Sequence, residues 1–173
     1  LFLARIVPEK GLHYLIEAYQ QIKTDKKLVI AGGASHTNEY LKKIKAMTND
    51  NPNIIMTGFV QGQELEELYS NCYLYCLPSD LEGMPLSLLE ALSYGNKCLV
   101  SDIEENTQIA QKNIYTFQKG NVQDLKCKLE KLLNEKVNNE KIRNDILNEY
   151  NWENIIQKTK KLYCSNIRRS MNG

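Results

Sequence analysis

The chain has 173 residues, of which 42% are hydrophobic and 25% are charged, and its formal net charge is +1. These values are typical of a single globular domain with a sizeable core. The near-neutral charge excludes the basic footprint of a nucleic-acid-binding domain, and no apolar run approaches the ~20 residues that a membrane-spanning helix needs.

Strand-like and helix-like segments alternate along the chain. Apolar runs bounded by Gly, Pro or polar residues predict strands at residues 1–7, 27–33, 53–59, 72–79, 97–102 and 114–117. Apolar residues at helical spacing predict helices at residues 12–22, 37–49, 65–72, 85–94, 107–112, 122–133, 141–150 and 152–164. The alternation predicts β-α-β units, and hence an α/β fold with a Rossmann-like, doubly wound parallel sheet of about six strands flanked by helices.

The alternating pattern extends over residues 1–164, which we predict to form one domain. Residues 165–173 have no apolar period, and we expect them to be a disordered tail. Leu1 lies inside an apolar run, so we expect the chain to be a fragment of a longer protein. The 5 cysteines form no Cys-x-x-Cys pair, and we predict that they are free thiols in a reducing compartment.

The loop after the first predicted strand carries two cations. Arg5 ends the strand, and Lys10 with Gly11 opens the next helix. Ligands of doubly wound sheets bind beyond the carboxyl ends of the strands, where these residues are expected to lie. Arg and Lys suit phosphate oxygens, although solvent-exposed surface cations would give the same pattern.

A second loop, at residues 78–92, combines an anion site with two carboxylates. Pro85 follows Gly83 and favours a helix start, so we expect the amides of Gly83, Met84, Leu86 and Ser87 to be free at a helix N-terminus. Glu82 precedes this turn and Glu90 lies inside the helix. An anion site flanked by two acceptors suits a ligand that is both a phosphate and a polyol, such as a sugar nucleotide. The alternative is that both glutamates are ordinary helix-surface residues.

The same segment resembles the Glu-x7-Glu motif of family 4 retaining glycosyltransferases, which have the GT-B fold. Pro78-Ser79 precedes the first glutamate, Glu90-Ala91 closes the motif, and Gly95 follows. The resemblance extends over residues 5–163 and covers the C-terminal, donor-binding half of that two-domain enzyme. The other half supplies most of the acceptor site.

The resemblance implies a role for each matching residue. Arg5 and Lys10 would bind the donor diphosphate, Glu82 would hold hydroxyls of the donor sugar, and Glu90 would accept hydrogen bonds from the ribose. Gly32 would allow close approach of backbone to the ligand, and the loop of Phe59 and Val60 would lie beside the nucleotide base. We therefore predict catalytic residues Arg5, Lys10 and Glu82, and substrate-binding residues Gly32, Phe59, Val60, Gly83, Met84, Pro85, Leu86, Ser87 and Glu90.

The implied function is transfer of a hexose from a nucleoside diphosphate sugar to an acceptor hydroxyl with retention of anomeric configuration, in bacterial-type polysaccharide or glycoconjugate synthesis. No metal or other cofactor is expected. The acidic residues Asp102 and Glu104 resemble a metal-binding pair, but the two cations and the helix end already neutralise a diphosphate. The leaving phosphate itself would assist the acceptor hydroxyl.

The expected partners are a nucleotide-sugar donor and, through the other half of the enzyme, an acceptor glycan or lipid-linked glycan. We expect the protein in the cytoplasm or at the inner face of the cell membrane, with membrane contact through the full-length protein, and we expect the chain alone to be inactive. Alternatives are a hydrolysing nucleotide-sugar epimerase of GT-B fold and a non-catalytic Rossmann-like binding or signalling module. The residues identify neither the donor base (UDP, GDP or ADP) nor the sugar or the acceptor.

Overall fold

The computed structural model describes residues 1–33, 38–109, 113–135 and 139–151, together with residues 153, 156–157 and 159–163. The expected tail at residues 165–173 lies outside the described residues, so the domain boundary predicted there stays a prediction.

Every predicted strand is present, and most are shorter than the apolar runs that predicted them. The strands are β1 (Phe2–Leu3), β2 (Leu28–Ala31), β3 (Ile54–Gly58), β4 (Tyr75–Leu77), β5 (Cys98–Ser101) and β6 (Ile114–Phe117). At β1, Ile6 and Val7 are buried although they lie beyond the strand. Apolar side chains of a loop can enter the core as strand residues do, so an apolar run overestimates strand length.

Helices separate the strands, as the sequence pattern predicts. Within the described part of the chain they are α1 (Leu12–Tyr19), α2 (Asn38–Thr48), α3 (Gln63–Ser70), α4 (Leu86–Ser93), α5 (Glu104–Thr107), α6 (Val122–Asn134) and α7 (Asn139–Glu149). A short 3-10 turn, Pro8–Lys10, precedes α1. The prediction for α5 was wrong in its start, because the helix begins at Glu104 rather than at Thr107. Acidic residues in a first turn are stabilised by the helix dipole, which favours this earlier start.

The strands form two parallel ladders that meet at β1 and β4. One ladder has the order β1-β2-β3 and the other the order β4-β5-β6. The amide of Cys76 in β4 donates to the carbonyl oxygen of Leu1 at 2.9 Å, which places β4 beside β1. The resulting order is β3-β2-β1-β4-β5-β6, in which the direction of winding reverses between β1 and β4. This is the Rossmann-like arrangement, and the predicted fold class is confirmed.

The helices cover both faces of the sheet, each over its own apolar core. Side chains of α1, α2 and α6 pack on one face with Phe2, Ile30 and Phe117. Side chains of α3, α4 and α7 pack on the other face with Leu77 and Val100. Burial on both faces explains why β2, β4 and β5 are continuous apolar runs rather than alternating ones. None of the described helices combines the length and the apolar character that a membrane span requires.

Candidate active site

Two of the predicted catalytic residues meet at the carboxyl edge of the sheet, where the winding reverses. Lys10 follows β1 and Glu82 follows β4, and Lys10 Nζ lies 2.6 Å from Glu82 Oε2. The two side chains are 15% and 4% exposed. Charges with so little solvent around them interact more strongly than charges on an open surface. A crevice at such a reversal point is where doubly wound sheets bind ligands.

Backbone packing brings these two loops together. Gly11, with φ of 63°, lies so close to the end of β4 that a Cβ atom there would be 2.0 Å from the carbonyl oxygen of Pro78. The amide of Asp80 donates to the carbonyl oxygen of Glu9 at 2.8 Å. A residue with a side chain at position 11 would push the loops apart, so the glycine positions Lys10 against Glu82.

A series of buried hydrogen bonds connects Glu82 with Ser101 of β5 and Asn106 of α5. The hydroxyl of Ser79 donates to Glu82 Oε1 at 2.6 Å, and the hydroxyl of Ser101 donates to the carbonyl oxygen of Ser79. Asn106 Nδ2 donates in turn to Ser101 Oγ at 3.1 Å. Ser79, Ser101 and Asn106 are not among the site residues predicted from the sequence. The Pro-Ser pair before Glu82 was the available signal for the first of them.

The start of α4 offers fewer amides than predicted. The amide of Leu86 donates to the carbonyl oxygen of Met84 at 2.9 Å, so the prediction that it is free was wrong. The tight turn at Pro85, which precedes the first helical residue, brings these two groups together. The amides of Gly83, Met84 and Ser87 make no hydrogen bond within the part of the chain that the structure describes. These donors remain available to an anion.

Glu90 lies on α4 and is oriented by a buried tyrosine of α3. The hydroxyl of Tyr69 donates to Glu90 Oε2 at 2.8 Å and lies 3.3 Å from the carbonyl oxygen of Ser87. The hydroxyl of Tyr75 donates to Ser87 Oγ at 2.8 Å. Burial raises the pKa of Tyr69, so its hydroxyl stays protonated and keeps donating. The Glu90 side chain remains exposed and able to accept further hydrogen bonds. Sequence reasoning identified neither tyrosine.

Arg5 and Gly32 lie at the ends of neighbouring strands on the same edge. Arg5 is exposed and follows β1, and the next residue, Ile6, donates its amide to the carbonyl oxygen of Gly33 at 2.9 Å. A Cβ atom at Gly32 would lie 1.9 Å from the carbonyl oxygen of Ala4. Packing of β2 against β1 thus explains the glycine at position 32, and its contact with a ligand stays a prediction.

The remaining predicted residues follow β3 or surround the start of α4. Phe59 is 74% exposed, and Val60 is half-buried. Phe59 Cβ lies 3.9 Å from the position that a Cβ atom of Gly33 would occupy. The loops that end β2 and β3 are therefore adjacent, as a nucleotide-binding edge requires. Met84 and Leu86 are exposed, whereas Pro85 is buried.

The acidic residues after β5 serve local structure. Asp102 Oδ1 accepts from the amide of Lys119 at 2.8 Å, and Glu104 Oε1 accepts from Gln108 Nε2 at 2.6 Å. Within the described ranges, no group of three or more His, Cys, Asp and Glu side chains has the arrangement of a metal site.

An apolar cavity of about 300 Å³ lies at the opposite edge of the sheet. Its lining includes Leu1, Leu28 and Leu74, which precede or begin strands. The amino edge of a doubly wound sheet is not where its ligands bind, so the cavity is separate from the candidate site.

Comparisons with known proteins agree with the fold and identify a family. Residues 1–152 match the family described as "Glycosyl transferases group 1". An uncharacterized glycosyltransferase of Methanocaldococcus jannaschii is 29% identical over 172 residues, covering 94% of this chain and 44% of the relative. The N,N'-diacetylbacillosaminyl-diphospho-undecaprenol alpha-1,3-N-acetylgalactosaminyltransferase of Campylobacter jejuni is 29% identical over 178 residues, covering 94% of this chain and 43% of the relative.

A solved structure of HepE from Anabaena, in complex with UDP and glucose, superposes with a TM-score of 0.84 at 17% identity. The match covers 95% of this chain and 47% of that protein, and at this identity it shows the fold. The chain therefore spans less than half the length of these relatives. The resemblance to the C-terminal half of a GT-B enzyme is confirmed.

Proposed function

This chain belongs to the family of group 1 glycosyl transferases, and from that membership we propose that it is the donor-binding half of an enzyme that transfers a sugar from a nucleoside diphosphate to an acceptor hydroxyl. The observation that carries the proposal is the contact of Lys10 with Glu82 at the point where the winding of the sheet reverses. One cation and one carboxylate are held there next to the N-terminus of α4. A phosphate and a sugar hydroxyl are the groups that such a pair can bind side by side.

Lys10 is proposed to bind the donor diphosphate together with Arg5 and the amides of Gly83, Met84 and Ser87. An ammonium group has three N–H donors, and the contact with Glu82 uses one of them. The others remain for phosphate oxygens. The dipole of α4 adds partial positive charge at the same place.

Glu82 is proposed to hold hydroxyls of the donor sugar. Its two oxygens accept from Ser79 and Lys10, and an ionised carboxylate has about four lone-pair sites, so acceptor capacity remains for a ligand. Because Ser79 and Lys10 hold it from two sides, the carboxylate needs little reorganisation when a hydroxyl arrives. Preorganisation of this kind is what makes a charged group effective in catalysis.

The proposed reaction retains anomeric configuration and uses no metal. The bond from the anomeric carbon to the leaving phosphate oxygen breaks, and a bond to the acceptor oxygen forms on the same face of the sugar. The acceptor proton passes to the leaving phosphate. Negative charge that grows on the diphosphate is stabilised by Arg5, Lys10 and the amides of Gly83, Met84 and Ser87. A single such donor typically contributes ~3–4 kcal/mol in a transition state.

The acceptor is proposed to be a glycan carried on a lipid diphosphate. The Campylobacter jejuni relative is named for transfer onto a diphospho-undecaprenol-linked sugar. An acceptor of that kind would place the full-length enzyme in the cytoplasm at a membrane surface. The donor sugar is proposed to be a hexose or its derivative.

Calorimetry with UDP, GDP, ADP and inorganic pyrophosphate, with and without EDTA, tests this proposal. We expect one nucleoside diphosphate to bind with the same affinity in EDTA. We expect Lys10→Ala to weaken both that nucleotide and pyrophosphate. Glu90→Ala should weaken the nucleotide alone, by about tenfold or more, because a hydrogen bond to a charged group contributes ~1.5–3 kcal/mol.

Glu130→Ala, on the exposed side of α6, is the matched control and should change neither ligand. No binding of any of the three nucleotides, or loss of binding in EDTA, would contradict the proposal. Equal losses of nucleotide and pyrophosphate with Glu90→Ala would exclude the ribose role of Glu90.

A further inference from the structure

Glu90 is an exposed glutamate on a helix surface, and its contact with α3 is the feature that distinguishes it from other exposed glutamates. A long side chain with free rotamers would have to be ordered by the ligand, at a cost in affinity. In this structure the ordering comes from Tyr69, whose hydroxyl lies 2.8 Å from Glu90 Oε2.

Tyr69 is itself fixed by its surroundings. It is 2% exposed, and its ring stacks on the ring of Tyr94 with centroids 5.3 Å apart and an interplanar angle of 23°. Asn96 Nδ2 donates to the carbonyl oxygen of Tyr69 at 2.9 Å. Its hydroxyl has two acceptors in reach, the Glu90 carboxylate and the carbonyl oxygen of Ser87 at 3.3 Å. The carboxylate is both closer and charged, so it is the preferred acceptor.

We propose that Tyr69 is a positioning residue for donor recognition, which holds Glu90 Oε2 so that Oε1 is presented to the vicinal hydroxyls of the donor ribose. Within the described residues Glu90 Oε1 accepts no hydrogen bond. A carboxylate anchored through one oxygen can accept from a diol with the other without losing further conformational freedom. This inference rests on the proposed function, because it presupposes that the ligand is a nucleotide.

The substitution Tyr69→Phe removes the hydroxyl and keeps the stacked ring. We expect it to weaken the preferred nucleoside diphosphate by about tenfold in calorimetry and to leave pyrophosphate within about twofold. With a 2′,3′-dideoxy analogue of the same nucleotide, the variant and the unsubstituted chain should bind equally. In a Glu90→Ala background, Tyr69→Phe should add no further loss, since the acceptor that Tyr69 holds is gone.

Tyr19→Phe is the matched control. Tyr19 is also buried, and its hydroxyl donates to the carbonyl oxygen of Lys26 at 2.7 Å, at the amino edge of the sheet. It should lower stability without changing the preference for nucleotide over pyrophosphate. Urea unfolding of each variant checks that it is folded. Glu90→Asp, which keeps the charge but retracts it from Tyr69, should show the same selective loss as Tyr69→Phe.

The outcomes separate the two proposals. Selective loss with Glu90→Ala but wild-type affinity with Tyr69→Phe would overturn the positioning role and leave the donor site intact. Equal loss of nucleotide and pyrophosphate with Tyr69→Phe, or a full loss that persists in a Glu90→Ala background, would show that Tyr69 is only a structural residue. No effect of Glu90→Ala on any nucleotide would overturn the ribose role of Glu90 and with it the positioning role of Tyr69, whereas failure of every nucleotide to bind the unsubstituted chain would overturn the proposed function.

Discussion

Removal of Lys10 should destabilise the fold, because it leaves the Glu82 carboxylate buried without its cation. Lys10 Nζ is 2.6 Å from Glu82 Oε2, and the side chains are 15% and 4% exposed. Breaking a buried ion pair by removing one partner typically costs ~3–5 kcal/mol. The partial exposure of Lys10 favours the lower end, so we expect Lys10→Met to lower the free energy of unfolding by about 3 kcal/mol.

The double variant isolates the pair itself. Glu82→Gln alone should cost about 1–2 kcal/mol, since Lys10 keeps some access to solvent. In the double variant Lys10→Met with Glu82→Gln, no charge is left without a partner. We expect it to be more stable than Lys10→Met alone by about 1–2 kcal/mol, despite carrying one more substitution. Urea unfolding followed by circular dichroism measures all four free energies.

An exposed pair in the same chain provides the control. Lys131 Nζ lies 3.6 Å from Glu135 Oε1, with side chains 67% and 39% exposed. Lys131→Met should change the free energy of unfolding by no more than about 0.5 kcal/mol. The reasoning is refuted if Lys10→Met costs no more than Lys131→Met, or if Glu82→Gln fails to reduce the cost of Lys10→Met.

Three further outcomes are expected. Gly11→Ala should lower the free energy of unfolding in urea by more than about 3 kcal/mol, because the added Cβ would lie 2.0 Å from the carbonyl oxygen of Pro78. Gly62 also has a positive φ but has nothing within 4 Å of its Cβ position, so Gly62→Ala should lower it by only about 1–2 kcal/mol. Burial, and after it the positive charge of Lys43, lowers the pKa of the His13 imidazole from 6.5. Protonation therefore favours the unfolded state, and the free energy of unfolding should fall as the pH drops below about 6.5. Urea unfolding at about pH 7.5 and about pH 5.5 should show a smaller loss in His13→Gln, and an equal loss would exclude His13 as the cause. Finally, the chain should bind donor nucleotide but transfer no sugar in an assay with a panel of acceptors. Positioning an acceptor supplies ~7–11 kcal/mol of a reaction barrier, and the Methanocaldococcus jannaschii relative is more than twice the length of this chain. Measured transfer would place the acceptor site within these residues.

The sequence was sufficient to predict the order of elements and which residues follow the carboxyl ends of the strands. Periodicity is a local property, and a Pro or Gly at a strand end marks a loop wherever the strand lies in the sheet. Arg5, Lys10, Glu82 and the turn at Gly83 were placed correctly after β1 and β4 for this reason. Periodicity does not show the order in which the strands lie side by side in the sheet.

The contact of Lys10 with Glu82 depends on that order, since 72 positions separate the two residues in the chain. It forms only because β1 lies beside β4. The same limit applies to Tyr69, which a helical pattern assigns to an apolar face. Its ring does lie in the core, and only its hydroxyl reaches Glu90. A sequence pattern distinguishes buried residues from exposed ones, but not the two ends of one buried side chain.

The site therefore takes its parts from both ladders of the sheet. Lys10 follows β1 of one ladder, whereas Glu82 and Glu90 lie in the loop and the helix that follow β4 of the other. A phosphate bound to Lys10 and a ribose bound to Glu90 would be held by elements whose spacing is set where β1 meets β4. Because Gly11 is in contact with Pro78 where β1 meets β4, a side chain at position 11 should weaken nucleotide binding as well as stability. We therefore expect binding and folding to be coupled where β1 meets β4, because Gly11 sets the spacing of the charged residues on either side.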